Sequence, residues 1–537
     1  MGRISRREFN RLAAAAGALT IVPFGGAGAQ VRFVSPPFQL GVASGDPSAD
    51  GFVIWTRLAP EPFDTAYLGQ TIFEVVWEVA EDSSFARMAK LGTAWARPHL
   101  AHAVHVVVDG LQPGREYFYR FRLGRYESPT GRALTCPAPD AAVASMKFAF
   151  SSCAHYEQGY FSAYHWMAQD RPDLMIALGD YIYEDSWGER RVRQFDSLEA
   201  VTLDDYRHRY TQYRTDPDLQ AAHAACPWLV TWDDHEVDND YVSEVSEHEL
   251  CGGEAVRQSF PARRAAAYQA WFEHMPIRPS RLRPDMHVQI YGSIDWGSLA
   301  RFYVLDTRQY RSVQACSGVP IVTRCDFGKN RKILFGGAGG ASFIDPAAAS
   351  CKAELADASR TVLGAAQEQW LDGALAASRA AWNVIAQNVM VMTVAEGTPE
   401  SPRIHSDAWG GYPPARERFF NSLIRHRAAN PVVLTGDIHS FWVCDLENAA
   451  GRPVGVELVA SSIATTTYDK SATLPLNPGA RFHDGEHNGY VRCELTRGKL
   501  RTDIVAIDQR EDPRSGRRVL ATFYVRSGDP RVHRVDG

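Results

Sequence analysis

The segment LMIALGDYIYED, Leu174 to Asp185, carries the densest chemical signal in the chain. An apolar run of strand character stops at Gly179-Asp180, and Tyr183 stands three residues past the aspartate. Three other runs end in the same way. KFAFSSCAH closes on Cys153 and His155, PWLVTWDDHE delivers Asp233, Asp234, His235 and Glu236, and PVVLTGDIHS closes on Asp437 and His439. α/β sheets build their sites from side chains at the carboxyl ends of neighbouring strands. Thiolate, phenolate, imidazole and carboxylate arriving together suit few tasks other than holding metal ions.

Each group has its own preference. A carboxylate at Asp180 can bridge two cations. Tyr183 one turn on can ligate as phenolate only with a strongly acidic metal, because a free tyrosine titrates at about 10; ferric iron is the natural candidate. Cys153 would add a soft anionic ligand. Asp234, His235 and Glu236, followed by Asp238, Asn239 and Asp240, form an acidic loop whose hard oxygens suit calcium or magnesium. Such a loop can equally be an acid-rich helix N-terminus. Asp437 and His439, two residues apart, share one side of an extended segment. Arg308 and Arg311 in LDTRQYR end another apolar run, where a guanidinium fork can hold phosphate or merely make salt bridges. The glycine cluster Gly336 to Gly340 lacks the Gly-Lys-Ser/Thr ending of a P-loop, and no Gly-x-Ser-x-Gly is present.

The elements that must position these residues fall into two regions. From 38 to 137 the pattern is all-β, with VIWTRL, FEVVWEVA, HAVHVVVDGL and YFYRFRLG separated by turn signals. Leu111 to Tyr117 has the form of a tyrosine corner, which predicts a fibronectin III-like sandwich. Pro137-Ala138-Pro139-Asp140 reads as a linker. From 146 to 515 strands alternate with helices, which predicts an α/β domain with helices on both outer faces. Ser312 to Arg360 is Gly- and Ala-rich, aperiodic, and a candidate lid.

With 537 residues the chain exceeds one ordinary core, so two or more domains are expected. Hydrophobic residues at 45% and charged residues at 22% exclude global disorder. A net charge of -6 predicts no nucleic-acid-binding surface, so an anionic substrate must be drawn by local charge such as bound cations. Ser5-Arg6-Arg7-Glu8-Phe9, an apolar run over Leu12 to Phe24, and Ala27-Gly28-Ala29 before Gln30 form a twin-arginine signal peptide over 1–29. The run is shorter than the roughly 20 residues of a spanning helix. The expectation is a mature protein without a membrane span, periplasmic or secreted through the twin-arginine export machinery. Nine cysteines leave at least one unpaired. Cys316, Cys325 and Cys351 can include a disulfide, with the pairing open.

Taken in order, LGVASGDPSADGFVIWTRL, SSCAHYEQGYFSAYHWMAQDRPDLMIALGDYIYED, WDDHEVDND, LDTRQYR, WNVIAQNVM and LTGDIHS resemble the PhoD family of alkaline phosphatases over nearly the whole mature chain. That family belongs to the calcineurin-like metallophosphoesterases. The resemblance implies a four-layer αββα sandwich behind the β-sandwich, and a centre of one ferric iron and two calcium ions. It assigns Cys153, bridging Asp180 and Tyr183 to the iron side, Asp234 and Asn239 to calcium, Asp437 and His439 to the metals, and Arg308 to phosphate. His235 is given a positioning or proton-donating role. The wider superfamily opens with Asp-x-His, where this chain has Ser151 and Cys153, and it has Gly-Asn-His-Glu where this chain has Asp233 to Glu236. The implied reaction is hydrolysis of small phosphate esters by a metal-activated hydroxide, with no phosphorylated side chain. Cleavage of diesters at the same centre, phospholipase D-like activity included, is the alternative reading. A non-catalytic exported binding protein is the third.

Overall fold

The computed structural model describes residues 21–22, 32–188, 190–246, 259–283, 287–316 and 343–535. The signal peptide apart from Ile21–Val22, Cys251, Cys325, the Gly336–Gly340 cluster and the middle of the 312–360 segment lie outside the described residues.

Seven short strands carry the site, and we label them in chain order. They are β1 (Ser145–Ser151), β2 (Leu174–Leu178), β3 (Pro227–Thr231), β4 (Ala300–Val304), β5 (Trp382–Ala386), β6 (Pro431–Thr435) and β7 (Pro453–Val459). β2, β3, β5 and β6 are buried at every position. That is the signature of parallel strands covered on both faces. β1, β2 and β3 pair in parallel within a ten-stranded sheet, and β4 to β7 pair in parallel within a seven-stranded sheet.

The two sheets pack face to face. Phe302, Val384, Val432 and Leu434 point into a core shared with Phe148, Phe150 and Ile176. Phe148 meets Phe302 edge-on at 5.4 Å across the sheets. The alternate residues Tyr303, Ile385 and Val433 turn outward, under helices Gly364–Ala376 and Pro413–Arg425, against Leu371, Phe419 and Leu423. This is strand periodicity applied to a strand buried on both sides. Helices Ser162–Gln169, Leu203–Arg214, Pro217–Ala225 and Phe260–His274 belong to the ten-stranded side, completing the four-layer αββα arrangement.

Leu203–Arg214 and Pro217–Ala225 are not legible as apolar stripes. The first buries Tyr206, Arg209, Tyr210, Tyr213 and Arg214, at helical spacing but with polar residue types. Its start is set by a capping box between Thr202 and Asp205. Arg209 stacks on Phe195 at 3.5 Å and Arg214 on Trp55 at 4.1 Å, so aromatic faces accept the buried cations.

The N-terminal sandwich is not strung on a linker. Three of its strands, Val42–Ser48, Gly51–Arg57 and Ala103–Val108, continue the ten-stranded sheet, because Val42–Ser48 pairs in parallel with β3. Its second sheet, built on Ile72–Ala80, Met88–Ala96 and Glu116–Leu123, closes over Phe52, Ile54 and Val106 with Val75, Tyr117 and Phe121. A catalytic sheet that would otherwise present a raw edge is thereby covered. At the crossing, a Cβ on Gly45 would lie 2.4 Å from the Pro276 carbonyl oxygen, so only glycine admits the contact.

Cys316 and Cys351 form a disulfide with Cα atoms 5.4 Å apart, while Cys136, Cys153, Cys226, Cys444 and Cys493 are buried free thiols. The tyrosine corner is present: the Gln112 backbone N–H donates to the Tyr117 hydroxyl oxygen at 3.0 Å. Tyr117→Phe removes that acceptor inside the sandwich. It should lower unfolding stability by about 1 kcal/mol in a urea titration, and an unaltered midpoint would dismiss the corner as a stabilising contact.

Candidate metal centre

Four candidate ligands sit in left-handed backbone at the ends of strands: Cys153 (φ 59°), Asp180 (φ 53°), Asp437 (φ 64°) and His439 (φ 52°). For a residue with a Cβ this conformation is strained, and strain of this kind collects at functional sites. It turns each chain sharply as it leaves its sheet, so the side chains face the cleft. The preceding glycines explain the repeated Gly-Asp pair. A Cβ on Gly179 would lie 2.5 Å from Asp233 Cβ, and one on Gly436 would lie 2.5 Å from Ser152 Cβ. These close approaches bring the ends of β2 and β3 together, and those of β6 and β1.

The turns converge on one place. Donor atoms of Cys153, Asp180 and His439 lie within 4.8 Å of one another, and so do those of Asp180, Asp234 and His235. Asp180 belongs to both groups. Cys153 Sγ is 3.4 Å from Asp180 Oδ2. The Tyr183 hydroxyl is 3.1 Å from the same oxygen and 3.2 Å from His439 Nε2. Asp437 and Asn239 are half-buried beside this cluster, and the Asn239 backbone N–H donates to Glu184 at 3.0 Å. His155 packs its ring 4.5 Å from that of Tyr183, behind the donors. Asp238 pairs with Arg263 at 3.1 Å.

Arg308 is wholly buried. It donates to Asp233 at 2.5 Å and pairs with Asp407 at 2.9 Å and Asp234 at 3.5 Å. Arg311 also pairs with Asp407 and lies over the Tyr412 ring. Both arginines of LDTRQYR therefore anchor carboxylates in the interior, and neither makes a surface salt bridge. Asp407 had no signal in the sequence, since nothing in its neighbourhood resembles a ligand motif.

Several residues hold the donors in place. The Glu236 carboxylate accepts backbone N–H groups from Asp180 (3.0 Å), Tyr181 (2.7 Å) and Asp233 (2.8 Å), locking two ligand loops together. Glu184 bonds His235 Nδ1 at 2.7 Å. Arg209 donates to the Tyr183 carbonyl at 2.6 Å. Trp187 and Tyr468 lie nearly parallel to the His439 ring, at 6.1 and 5.7 Å. Glu184 and Glu236 lie inside the quoted segments, and Glu236, read there as a possible hard ligand, is instead taken up by backbone N–H groups. Trp187 and Tyr468 come from stretches without any pattern.

The donor set fits metal ions. Burial, reinforced by neighbouring carboxylates, pushes Asp437 well above the carboxylate range. It does the same for Asp180, with His235 in partial opposition. Burial also raises the Cys153 thiol and the Tyr183 phenol. Anions in this crowd require cations that the protein itself does not supply in sufficient number. The soft Cys153 thiol, His439 and the Tyr183 phenol meet Asp180 in one group and the Asp234 carboxylate meets it in the other, which suits more than one ion.

A family model described as PhoD-like phosphatase matches residues 148–504, and one for the PhoD-like phosphatase N-terminal domain matches residues 25–137. The chain belongs to the PhoD-like phosphatase family. It is 41% identical over 519 residues to alkaline phosphatase D of Bacillus subtilis (strain 168), across 94% of this chain and 83% of that protein. A solved structure of PhoD superposes with a TM-score of 0.84 at 40% identity, covering 94% of both chains. Purple acid phosphatase PPD1 from yellow lupin (Lupinus luteus) seeds superposes with a TM-score of 0.53 at 13% identity, over 94% of this chain and 75% of that one. The latter likeness is one of fold, that of the metallophosphoesterases. The chain is an enzyme, a metal-dependent phosphoric ester hydrolase.

Charge crowding has a consequence for the protein stripped of metal. Burial lifts Asp233 to about 7 against the pull of Arg308, and lifts Glu236 to about 8. The native chain then holds protons that the unfolded chain releases above about pH 4. Their contribution to stability is complete below that value and is lost as pH rises through the native values. The urea midpoint of chelator-treated protein should fall between about pH 5 and pH 8. A midpoint that stays level or rises across this window would count against the crowding.

Proposed function

We propose that the chain hydrolyses small phosphate esters at a centre of one ferric ion and two calcium ions. Cys153, Tyr183, His439 and Asp180 would hold the iron. Asp180, Asp234, Asn239 and Asp437 would supply the oxygens for calcium. The observation that carries this reading is that Asp180 lies within 4.8 Å of the Cys153 and His439 donors and within the same distance of the Asp234 carboxylate. When bound, the ions neutralise the charge of the phosphate oxygens and make the attacking water acidic.

The chain's own residues do the rest. His235 donates from Nδ1 to Glu184. Burial opposes its charge, but Glu184, Asp180 and Asp234 outweigh burial and keep the ring protonated well above the usual imidazole range. That leaves Nε2–H as the proton for the departing alkoxide, the role of a general acid. Tyr183 supports the ring by packing against it at 4.1 Å, tilted by 32°. Arg308 fixes Asp233 and Asp234 and adds positive potential behind them, which is preorganised electrostatic support rather than a mobile clamp.

We further infer export by the twin-arginine route through residues 1–29, with action outside the cytoplasm. The sequence pattern of those residues supports this, and none of the described helices is long and apolar enough to cross a membrane.

Purified enzyme should contain iron and calcium in a ratio of one to two by elemental analysis, and show a visible ferric charge-transfer band. Cys153→Ala should lose or displace that band and lose iron. Retention of iron content, band and turnover would refute the ligand. His235→Gln should lose about 10²–10⁴-fold in kcat on an alkyl phosphate and much less on para-nitrophenyl phosphate, whose leaving group needs little protonation. An equal loss on both esters would exclude the general acid.

A further inference from the structure

The motif WNVIAQNVM contributes no candidate ligand, yet its second asparagine, Asn388, bonds residues that flank Asp180, Asp233, Arg308 and Asp437. Asn388 lies two residues past the end of β5 and is fully buried. Its side-chain amide donates to the Leu178 carbonyl at 2.8 Å and to the Trp232 carbonyl at 2.7 Å. Those carbonyls stand at the exits of β2 and β3, two residues before Asp180 and one before Asp233. Asn388 Oδ1 accepts the Thr307 hydroxyl at 2.7 Å, one residue before Arg308. The Asn388 backbone carbonyl accepts the Gly436 N–H at 2.9 Å, one residue before Asp437. The Gly179 carbonyl in turn accepts the Cys153 N–H at 3.2 Å.

The geometry points to Asn388 as the positioning residue that sets the two halves of the metal centre at their working separation. The reasoning is spatial. Cys153, Asp180 and Asp234 are carried by the ten-stranded sheet, while Asp437 and His439 are carried by the seven-stranded sheet. The core between the sheets is apolar, and dispersion contacts tolerate sliding that a ligand set does not. Asn388 belongs to the second sheet and bonds two strand exits of the first. Only a primary amide places two N–H donors on one atom with an acceptor beside it. Without it the Leu178 carbonyl would lose a buried donor, and the Trp232 carbonyl would keep only a long 3.4 Å bond from the Thr231 hydroxyl among its side-chain donors. The fit is tight, since a Cβ on Gly179 would lie 2.9 Å from Asn388 Nδ2. The inference rests on the reading that Asp180, Asp234 and Asp437 hold metal.

The test uses the full-length, metal-loaded enzyme. Bound iron and calcium are followed against increasing chelator, and kcat and KM are measured on para-nitrophenyl phosphate. Asn388→Asp sets an anionic oxygen against two carbonyls. It should weaken metal retention by about 10–100-fold and lower kcat. Thr307→Val frees Oδ1, so the amide can swivel; it should err in the same direction by less, and Thr307→Ser should restore what Thr307→Val lost. A residue that merely supports the fold would lower the melting temperature and leave chelator resistance and kcat per folded molecule unchanged. That result in Asn388→Asp would overturn the inference. If Asn388→Asp does not fold, wild-type metal retention and kcat in Thr307→Val would overturn it. Absence of iron and calcium from the wild-type enzyme would instead sink the metal reading on which it stands.

Discussion

Negative charge held away from water governs this molecule. Asp180, Glu184, Asp233, Asp234, Glu236 and Asp407 are each no more than 4% exposed, within one neighbourhood. Their protein counter-charges are Arg308, Arg311 and the imidazole of His235. Uncompensated buried carboxylates are among the most unfavourable arrangements a fold can contain. The crowd makes sense as a receptacle for multivalent cations. It also accounts for the upward shifts of Asp180, Asp233 and Glu236, for the anchoring of both arginines, and for the raised affinity of His235 for its proton.

A receptacle of this kind needs its walls fixed before the ions arrive. The chain does this with backbone rather than with long side chains. Left-handed turns at Cys153, Asp180, Asp437 and His439 aim the donors from strand ends. Glycines at 179 and 436 let those turns touch one another. Glu236 gathers three N–H groups from the turns after β2 and β3, and Asn388 donates to the carbonyls that precede them. The donor and acceptor needs of these exits are thus met by one acid and one amide, drawn from different sheets. Strained turns persist only where their surroundings over-determine them, and these two residues do that.

The N-terminal sandwich adds stiffness to the same assembly. Because Val42–Ser48 pairs with β3, the strand that delivers Asp233 and Asp234 is interior to its sheet. Arg57 reaches His274 and Thr211, tying the sandwich to helices that line the catalytic side. The Leu203–Arg214 helix in turn holds the Tyr183 carbonyl through Arg209.

Much of this was legible in the chain itself. Apolar runs ending in Gly-Asp, Ser-Cys or Asp-Asp-His-Glu mark the strands, their exits and most donors. Strand type follows from the run of buried residues, and donor type from chemistry that no fold can alter. The resemblance supplied the layer order. What remained hidden depended on partners distant in sequence. Arg308 reads as a phosphate fork until Asp233, Asp234 and Asp407 are seen around it. Asp407, Trp187 and Tyr468 have no local pattern, and Asn388 sits in a motif that offers no ligand, because their roles are contacts with residues outside their own stretch of chain. The helix Leu203–Arg214 escaped because its buried face is tyrosine and arginine. The fusion of the sandwich to the catalytic sheet escaped because a strand edge carries no mark of the strand it will pair with. Residue types determined that the chain carries the donors of a metal centre. Tertiary structure alone decided which carboxylates gather with the thiol and imidazole and which are held by arginine, since that choice is made by distances that sequence order does not encode.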